Sequence, residues 1–527
     1  MSSSKLASQV LSQFGAWSQT ERMLRLTTPL GPTQLLAESF KGTEGLSEGF
    51  RLEILALSTN AHIELKTLLG QPVLLELLTA HSRTELRPFH GHIMLIETVG
   101  SNGGMARYKL IVEPWTAFLA YRRDSTTYQD MNVFEILESI FKDYEGQGKL
   151  VPAWRLDIND LSVYPKRSLN TQYQESDLAF IQRLMSEEGL FSWIEHEGDA
   201  SSATLGSHTF VIADHNGAFQ PNEQAEISFT QPGAVMKHDS IDRWRSQRRW
   251  QTNVIEICSW DYRQINTRPI SSLSNANNSN NCQELIAQDA PGAYSYESRA
   301  QGQRIADNQL LAIEAHNKIF TGAGTVRTLV PGTTFSLSGQ AEHDQGSADD
   351  KNFLVLRVVH QAHNNLSAEL QAQVKHCLGH LVQDEENEAD DEFDERNQID
   401  FDGKHNTGND KGERPLYRNR IEAIRSSIAY KNLSTDQHGQ LLHPKPTVHG
   451  QQTAIVVGPV GNVIYTDRDH RIKVQFHWQR GDNSHSRLAH PNPDGHTGAP
   501  ADECAGTWVR VAAVFAPIAG ANWGSHA

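Results

Sequence analysis

Polar and apolar residues alternate without a break in Arg471-Ile472-Lys473-Val474-Gln475-Phe476-His477-Trp478. Such alternation is typical of a β-strand, because a pleated backbone sends successive side chains to opposite faces of the sheet. The polar side chains are then expected to meet water or a partner. The opposite face is predicted to be buried, and it carries Ile472, Val474, Phe476 and Trp478.

Further strands are predicted on both sides of this one, each next to residues that favour turns. With the central strand at 471–478, they span 453–457, 463–466 and 507–511. Short strands at this spacing indicate a small barrel similar to an OB-fold, which closes with five strands. Since the pattern supplies about four, the closing strand is missing and the barrel is expected to be incomplete at Ala527.

Short motifs in this region stand in a fixed order. They are Gly458-Pro459-Val460-Gly461, Thr466-Asp467, Arg471 to Trp478, Trp508-Val509-Arg510-Val511 and Asn522-Trp523-Gly524-Ser525-His526. In this series the chain resembles VgrG, the spike protein of bacterial type VI secretion, and the related hub and spike proteins of contractile phage tails. One departure is His470, which stands where the family usually has a glycine in the turn before Arg471.

The first part of the chain extends the resemblance and also has a β pattern. Between glycine-rich turns, strands are predicted over 24–27, 34–40, 50–57 and 73–78. The segment from Leu68 to Leu77, similar to the VgrG hub, is echoed by Leu329 to Leu337, and strands begin after them at Phe89 and Phe353. This repetition predicts two related β-barrels in one chain.

Two amphipathic helices are predicted within the β pattern. Apolar residues of Val133–Tyr144 recur at helical spacing, and Asn132 with Glu135 matches an N-terminal capping box. The second helix is predicted to begin after Ser176 and to end at Gly189, a residue that favours helix C-termini.

The predicted fold is mainly β with α insertions. It consists of tandem, phage-hub-like β-barrels followed by the OB-fold-like barrel. Changes of composition and pattern along the chain set the predicted boundaries. They give an N-terminal tail at 1–22, a hub with two related β-barrels at 23–380 that includes a helical insertion at about 130–190, an acidic loop and linker at 381–446, and an incomplete spike base at 447–527.

The charge of the chain argues against a nucleic-acid partner. Its 47 basic residues are outnumbered by 63 acidic ones, whereas phosphate binding requires a basic surface. Nine acidic residues and no basic one lie between Asp384 and Glu395, as expected of a solvated loop. The sequence has no stretch typical of a signal peptide or transmembrane helix. No CxxC pair is formed by the cysteines, which are interpreted as free thiols: Cys258, Cys282, Cys377 and Cys504.

Several groups of residues have the composition of a functional site without its pattern. His360 and His363 end an apolar strand and lack a third metal ligand, so a structural role is favoured. The acidic stretch lacks the spacing of a calcium loop, and Gly146–Lys149 lacks that of a phosphate loop. Polar loop roles are predicted for His485, His490, His496 and Asp494.

Two further kinds of site are disfavoured. The Gly-x-Ser-x-Gly pattern at Gly45–Gly49 falls between two predicted strands rather than between a strand and a helix, so no nucleophile elbow is predicted. Basic residues beside two aromatic ones could bind single-stranded nucleic acid, but the net charge of −16 favours a solvated strand face; they are Arg471, Lys473, His477 and Arg480, next to Phe476 and Trp478. We therefore predict no catalytic, cofactor-binding or metal-binding residues, and no cofactor.

The resemblance implies a structural and mechanical role rather than an enzymatic one. In this family, three chains with two barrels each form a ring on a hexameric inner tube, and sheath contraction drives tube and spike through a membrane. The implied partners are two further copies of the chain, the tube protein, and a tip-sharpening protein and effectors held by a C-terminal extension, with only transient membrane contact. The implied location is the cytoplasm before firing, followed by secretion without a signal peptide.

Three rival interpretations remain at this point. The nearest is a baseplate hub of a contractile phage or prophage, which the same motifs would fit. A cell-wall hydrolase is a rival because some relatives carry catalytic extensions. A nucleic-acid-binding OB module is the third.

Overall fold

The computed structural model of the protein describes residues 17–80, 86–230, 238–260, 267–273, 284–293, 295–296, 298–379, 416–436, 440–462, 464–479, 503 and 506–511. The strands in these residues are β1 (Leu24–Thr27), β2 (Leu36–Gly45), β3 (Gly49–Ser58), β4 (Pro72–Leu77), β5 (Arg87–Asn102), β6 (Met105–Glu113), β7 (Arg123–Tyr128), β8 (Ala153–Asp157), β9 (Asn170–Ser176), β10 (Phe191–Gly198), β11 (Gly206–Ala213), β12 (Gln220–Ser228), β13 (Ile241–Arg248), β14 (Val254–Trp260), β15 (Thr267–Leu273), β16 (Ile286–Ala293), β17 (Lys318–Gly324), β18 (Thr333–Ser338), β19 (Asn352–His363), β20 (Tyr417–Arg425), β21 (Ala454–Val456), β22 (Ile472–Phe476) and β23 (Thr507–Val509). The helices are α1 (Val133–Lys142), α2 (Asp177–Glu188), α3 (Arg299–Ala315), α4 (Ala341–Asp344) and α5 (Ala368–Leu378).

The chain divides into two compact units. The first comprises Met1–Thr116, Gly146–Asn159 and Gly189–Ser434, and the second comprises Ala117–Glu145, Asp160–Glu188 and Thr435–Ala527. Both helices predicted for the insertion, α1 and α2, therefore belong to the same unit as the small sheet near the C-terminus. The prediction of a mainly β fold with α insertions is confirmed.

A large sheet dominates the first unit. Its strands follow the order β1-β4-β5-β6-β3-β2-β19-β20-β17-β13, and β18 joins β19 to β12. Two three-stranded sheets, β10-β11-β8 and β15-β14-β16, complete this unit among the described residues. Because β2 pairs with β19, the sheet joins the N-terminal strands directly to strands from beyond residue 350.

Alternation along the strands determines which face of the large sheet is buried. In β3, Leu52 and Ile54 are buried, whereas Arg51, which points to the opposite face, is exposed. The register pairs Ile54 with Phe40 of β2 and with Leu110 of β6, both of which are also buried. Each such large apolar side chain contributes about 1.5–3 kcal/mol when it is removed from water.

The echo between the two halves of the hub appears as two similar hairpins. β4 pairs antiparallel with β5, and β18 pairs antiparallel with β19. Before the first strand of each hairpin lies a fully buried leucine, Leu68 or Leu329, followed by a glycine with positive φ, Gly70 or Gly332. These positions require glycine because other residues adopt such φ values only at a cost.

One segment of the predicted linker is part of the hub instead. Tyr417–Arg425, within the predicted linker at 381–446, forms β20 between β19 and β17 in the large sheet. Its buried Tyr417, Ile421 and Ala423 supply the apolar surface that a central strand needs. The linker prediction is wrong for these residues, and the acidic stretch Asp384–Glu395 lies outside the described residues.

The helices of the second unit begin as predicted. Asn132 and Glu135 form a reciprocal capping box at the start of α1, whose apolar stripe is buried. The hydroxyl of Ser176 accepts the amide hydrogen of Ala179 at the start of α2. Gly189, with a φ of 71°, follows the last residue of α2. No helix among the described residues is long and apolar enough to span a membrane.

The small sheet of the second unit has shorter strands than predicted. β22 lies between β21 and β23, so this sheet has three paired strands among the described residues. The strand predicted at 463–466 is reduced to a single bridge between Thr466 and Ile472. An OB-fold is therefore not confirmed, and the barrel remains an interpretation of the sequence.

The buried face predicted for the central strand is only partly observed. Val474 is buried, but Ile472 and Phe476 are half-buried. Trp478 lies beyond the end of β22, where its indole donates to the side-chain oxygen of Gln452 at 3.0 Å. Strict alternation overestimated burial because this sheet is narrow.

His470, the departure from the family pattern, occupies a strained turn. Its φ is +59°, a left-handed value that is about 1–2 kcal/mol unfavourable for a residue with a Cβ. We expect His470→Gly to raise the free energy of unfolding of the second unit by about 0.5–1 kcal/mol, since glycine's larger unfolded-state entropy offsets part of the gain. Urea unfolding, with amide exchange in β22 as the probe of the second unit, measures this change in the free energy of unfolding.

A matched control is Asp469→Gly, one position earlier and without a positive φ in the described backbone. That change should lower stability, because it adds unfolded-state entropy and relieves no strain. Equal effects of the two substitutions would contradict the argument.

Candidate functional site

The candidate residues singled out from the sequence do not come together in one site. His360 is fully buried in β19, while the backbone amide of His363 donates to the carbonyl of Leu416 at 2.8 Å. Among the described residues, no group of three or more His, Cys, Asp or Glu side chains is placed to hold a metal ion. The loop residues His485, His490, His496 and Asp494 lie outside the described residues, as do Arg480 and the acidic stretch.

The most unusual polar cluster is centred on a buried carboxylate, Glu44 of β2. Arg87 of β5 donates to Oε2 of Glu44, and its Nη1 donates to the carbonyl of Arg327 at 2.8 Å. Nε2 of His360 lies 2.9 Å from Oε2, and Nε2 of His196 lies 3.4 Å from Oε1. Glu44 therefore connects three strands of the large sheet with β10 of a second sheet.

The hydrogen bonds of His360 determine its protonation state. A carboxylate only accepts, so the ring proton sits on Nε2 and donates to Glu44. Nδ1 lies 2.7 Å from the Tyr417 hydroxyl, which donates to it. Burial lowers the pKa of His360 despite the neighbouring Glu44, and it raises the pKa of Tyr417. Both groups are therefore neutral, and the Glu44–Arg87 pair carries the charge.

A second chain of hydrogen bonds runs through two more buried histidines. The amide of Trp115 donates to Nε2 of His208 at 2.8 Å, so the proton of the neutral His208 ring is on Nδ1. Nδ1 of His208 lies 2.8 Å from Nδ1 of His90, which must then accept. The remaining proton of His90 is on Nε2, which donates to the carbonyl of Thr204 at 2.8 Å. One tautomer of each ring satisfies every contact.

The electrostatics agree with this assignment. Burial is the main reason that the pKa of His90 and that of His92 are lowered to about 4, with neighbouring histidines adding to it. The pKa of His208 is held well below its usual range by burial and by three nearby histidines. Burial alone would raise the pKa of Glu44, but Arg87 and the adjacent histidines reverse this and hold it well below its usual range.

The geometry of this cluster suits bracing rather than catalysis. The cavity beside Glu44 holds about 10 Å³, enough for about one water molecule. Every histidine nitrogen discussed above already has a partner within the protein except Nε2 of His196, which faces Glu44 at ion-pair distance. Such satisfied buried networks fix the relative positions of the elements that contribute to them.

Sequence reasoning missed this cluster, although one signal was present. His90-Gly91-His92 places two histidines on the same face of a strand, on either side of a glycine. A Cβ at Gly91 would lie 2.7 Å from Cγ1 of Val112 and 2.9 Å from Cζ of Phe50, so no larger residue fits. A histidine pair around a glycine required by packing could have been recognised as a buried polar motif.

Comparison with known proteins identifies the hub. The family described as phage tail baseplate hub (GPD) matches residues 43–366, more than half of the chain. The chain belongs to the phage tail baseplate hub family. The match begins one residue after Gly42 in β2 and ends after β19, so it includes Glu44, Arg87 and His360 of this hub protein.

The relatives extend the similarity beyond the hub. The type VI secretion system spike protein VgrG1a of Pseudomonas aeruginosa is 27% identical over 96% of this chain and 65% of its own length. VgrG1b of the same organism is 26% identical over 97% of this chain and 57% of its own. The chain thus spans roughly 57–65% of these relatives, and its resemblance to VgrG is confirmed.

A solved structure shares the fold. The E. coli c3393 protein, described as a component of the type VI secretion system with structural similarity to T4 tail proteins gp27 and gp5, superposes with a TM-score of 0.54. The identity is 18%, and the match covers 86% of this chain and 88% of that one. The phage-hub-like fold predicted from the sequence is therefore confirmed.

Proposed function

We propose that this hub protein is the structural hub and spike base of a type VI secretion system. The observation that carries the proposal is the match to spike proteins over 96–97% of the chain, from the hub to the small sheet. In this role it caps the inner tube, sits in the cytoplasm before firing and leaves the cell with the tube. The braced hub core around Glu44 suits a part that transmits force.

The nearest rival, a phage baseplate hub, makes a different prediction in the cell. Deleting the gene from its host should abolish release of the tube protein into the medium and killing of neighbouring bacteria, and the gene in trans should restore both. A phage hub would instead be required for phage particles, with tube release unchanged. Loss of particles alone would therefore overturn the secretion role.

We expect the natural full-length protein to form a homotrimer. The paired hairpins β4–β5 and β18–β19 support two related modules per chain, so three chains offer six to a hexameric tube. Light scattering coupled to gel filtration at micromolar concentration should give three times the mass of one chain. A mass of a single chain over the whole concentration range would contradict the prediction.

We further expect no hydrolytic activity from the chain itself. The buried histidines are fixed as neutral hydrogen-bonding groups, and the cavity beside them is too small for a substrate. Purified protein incubated with peptidoglycan, phospholipid vesicles or ATP should show no turnover above the blank. Turnover that disappears on substitution of one histidine or one carboxylate would contradict this.

A further inference from the structure

One edge of the large sheet carries an exposed run of arginines. β13 is the last strand of the sheet and pairs with β17 over Arg243–Arg248. Among the described residues, its other side carries a single bridge, from Ile241 to Phe229. Beyond Trp244 every side chain through Trp250 is exposed, including Arg245, Arg248 and Arg249. We call these three arginines, two at the end of β13 and one directly after it, the basic edge.

The basic edge differs from the rest of the same sheet in how its charges are balanced. Several basic side chains on other strands of the sheet have acidic partners, as in the ion pairs Arg51–Glu113 and Lys109–Glu53. No acidic side chain of the described residues lies within ion-pair distance of the three arginines in the basic edge. Lys318, directly opposite Arg248, adds a further cation.

The local field at this edge is positive. Burial lowers the pKa of Lys318, and the nearby Arg248 and Arg425 lower it further, while Glu342 and Asp350 act in the opposite direction. Charges on an edge strand also deter pairing with foreign strands. Preventing such pairing does not by itself require three arginines without acidic partners on a chain whose net charge is −16. Like charges without counter-charges repel one another, so an acidic ligand would relieve the repulsion.

The chain carries one segment with the matching chemistry. Nine acidic residues and no basic one lie between Asp384 and Glu395. We propose that the acidic stretch 384–395 of this chain binds the basic edge. The charges are complementary, and the interaction is independent of the secretion role proposed above.

The covalent connection makes this contact attainable. The residues after the stretch enter the sheet at Tyr417, the first residue of β20, and only β17 separates β20 from β13. Two strand spacings amount to about 10 Å. The 21 residues between Glu395 and Tyr417 can span up to about 70 Å. A tethered ligand at this range has an effective concentration of the order of millimolar, which favours it over a free acidic protein.

Competition with a free peptide tests the proposal. A synthetic peptide of residues 384–395 is titrated by calorimetry into the full chain and into a variant with Asn or Gln at its nine acidic positions in that stretch. The variant should bind the peptide about tenfold or more tightly than the unmodified chain, because the tethered stretch no longer competes. Its affinity should fall with added salt. Equal binding by the two proteins would overturn the proposal and leave the edge open to another acidic partner.

Arginine variants in the neutralised background locate the binding site. Arg245→Gln, Arg248→Gln and Arg249→Gln together should weaken peptide binding at least tenfold, whereas lysine at the same positions should largely preserve it. A matched control removes three exposed basic side chains elsewhere in the hub, Arg51→Gln, Lys66→Gln and Arg155→Gln. It should change affinity by less than about twofold. An equal loss in the two triple variants would show attraction by overall charge and overturn the site.

Discussion

Acidification from pH 7 to pH 4.5 is expected to lower the free energy of unfolding of the hub by about 5 kcal/mol or more. Burial lowers the pKa of His90 and of His92 to about 4 in the folded protein. In the unfolded chain each titrates near pH 6.5, so below that pH the unfolded state binds protons that the folded state does not. Each of the two then destabilises the fold by about 2.5 kcal/mol at pH 4.5.

His208 and Glu44 extend this loss in different ranges of pH. Because the pKa of His208 is also lowered, this residue too destabilises the fold increasingly as the pH falls below 6.5. The pKa of Glu44 is lowered as well, but a carboxylate of this kind stabilises the fold above about pH 4.5 and loses its effect only below that. Loss between pH 6.5 and 4.5 therefore reports the histidines, and further loss reports Glu44.

Urea unfolding at pH 7.0, 6.0, 5.0, 4.5 and 4.0 measures the stability, and amide exchange in β4 and β5 assigns the change to the hub. His92→Gln should reduce the slope of stability against pH by about 1.4 kcal/mol per pH unit below pH 6, because one protonation is removed. His62→Gln, at an exposed position, is the matched control and should leave the slope close to that of the unmodified chain. An unchanged slope in His92→Gln would contradict the pKa assignment.

Local signals predicted the local structure of this chain well. The capping box of Asn132 and Glu135 was correct because its two hydrogen bonds join residues three apart. β1 has the predicted bounds, and β4 lies within one residue of them. The repeated leucine and glycine before β4 and β18 could also be predicted, since a positive φ favours glycine wherever the backbone turns that way.

Contacts between distant segments could not be predicted in the same way. Glu44 meets Arg87 across 43 positions and His360 across 316 positions, and no periodicity in the sequence joins them. β20 was assigned to a linker because it follows the acidic stretch, whereas its place in the sheet depends on partners in β17 and β19. In β22 the strand itself was predicted correctly, but burial did not alternate along it, because burial depends on how many strands cover the sheet, which the pattern does not specify.

Glu44→Gln is expected to destabilise the hub by about 3–5 kcal/mol, the second large effect that the structure predicts. The side chains of Glu44 and Arg87 are 5% and 8% exposed, so the substitution leaves a guanidinium buried without its counter-charge. It also replaces an acceptor-only group facing Nε2 of His360 by an amide that must be oriented to accept. Chemical denaturation at pH 7 measures the change.

A double-mutant cycle distinguishes this explanation from simple loss of packing. Arg87→Met alone removes the positive charge and leaves the Glu44 carboxylate buried without a partner charge, so it too should lower the free energy of unfolding strongly. If the cost of each single substitution is an unbalanced charge, the double variant should be more stable than the sum of the two predicts, by about 2 kcal/mol or more. Additive effects would show that the pair is not coupled and would contradict the bracing role.

The exposed pair Arg51–Glu113 provides the matched control. Its atoms are 2.6 Å apart, but the arginine side chain is 61% exposed and the glutamate side chain 19%, so water reaches the pair and screens its attraction. Glu113→Gln should therefore change stability by less than about 1 kcal/mol, even though the same chemical group is altered. The difference between the stability losses of Glu44→Gln and Glu113→Gln isolates desolvation as the cause. Where β2 and β5 are joined by a desolvated charge pair, that connection is lost when either charge is removed, whereas a surface pair of similar length can be broken with little effect.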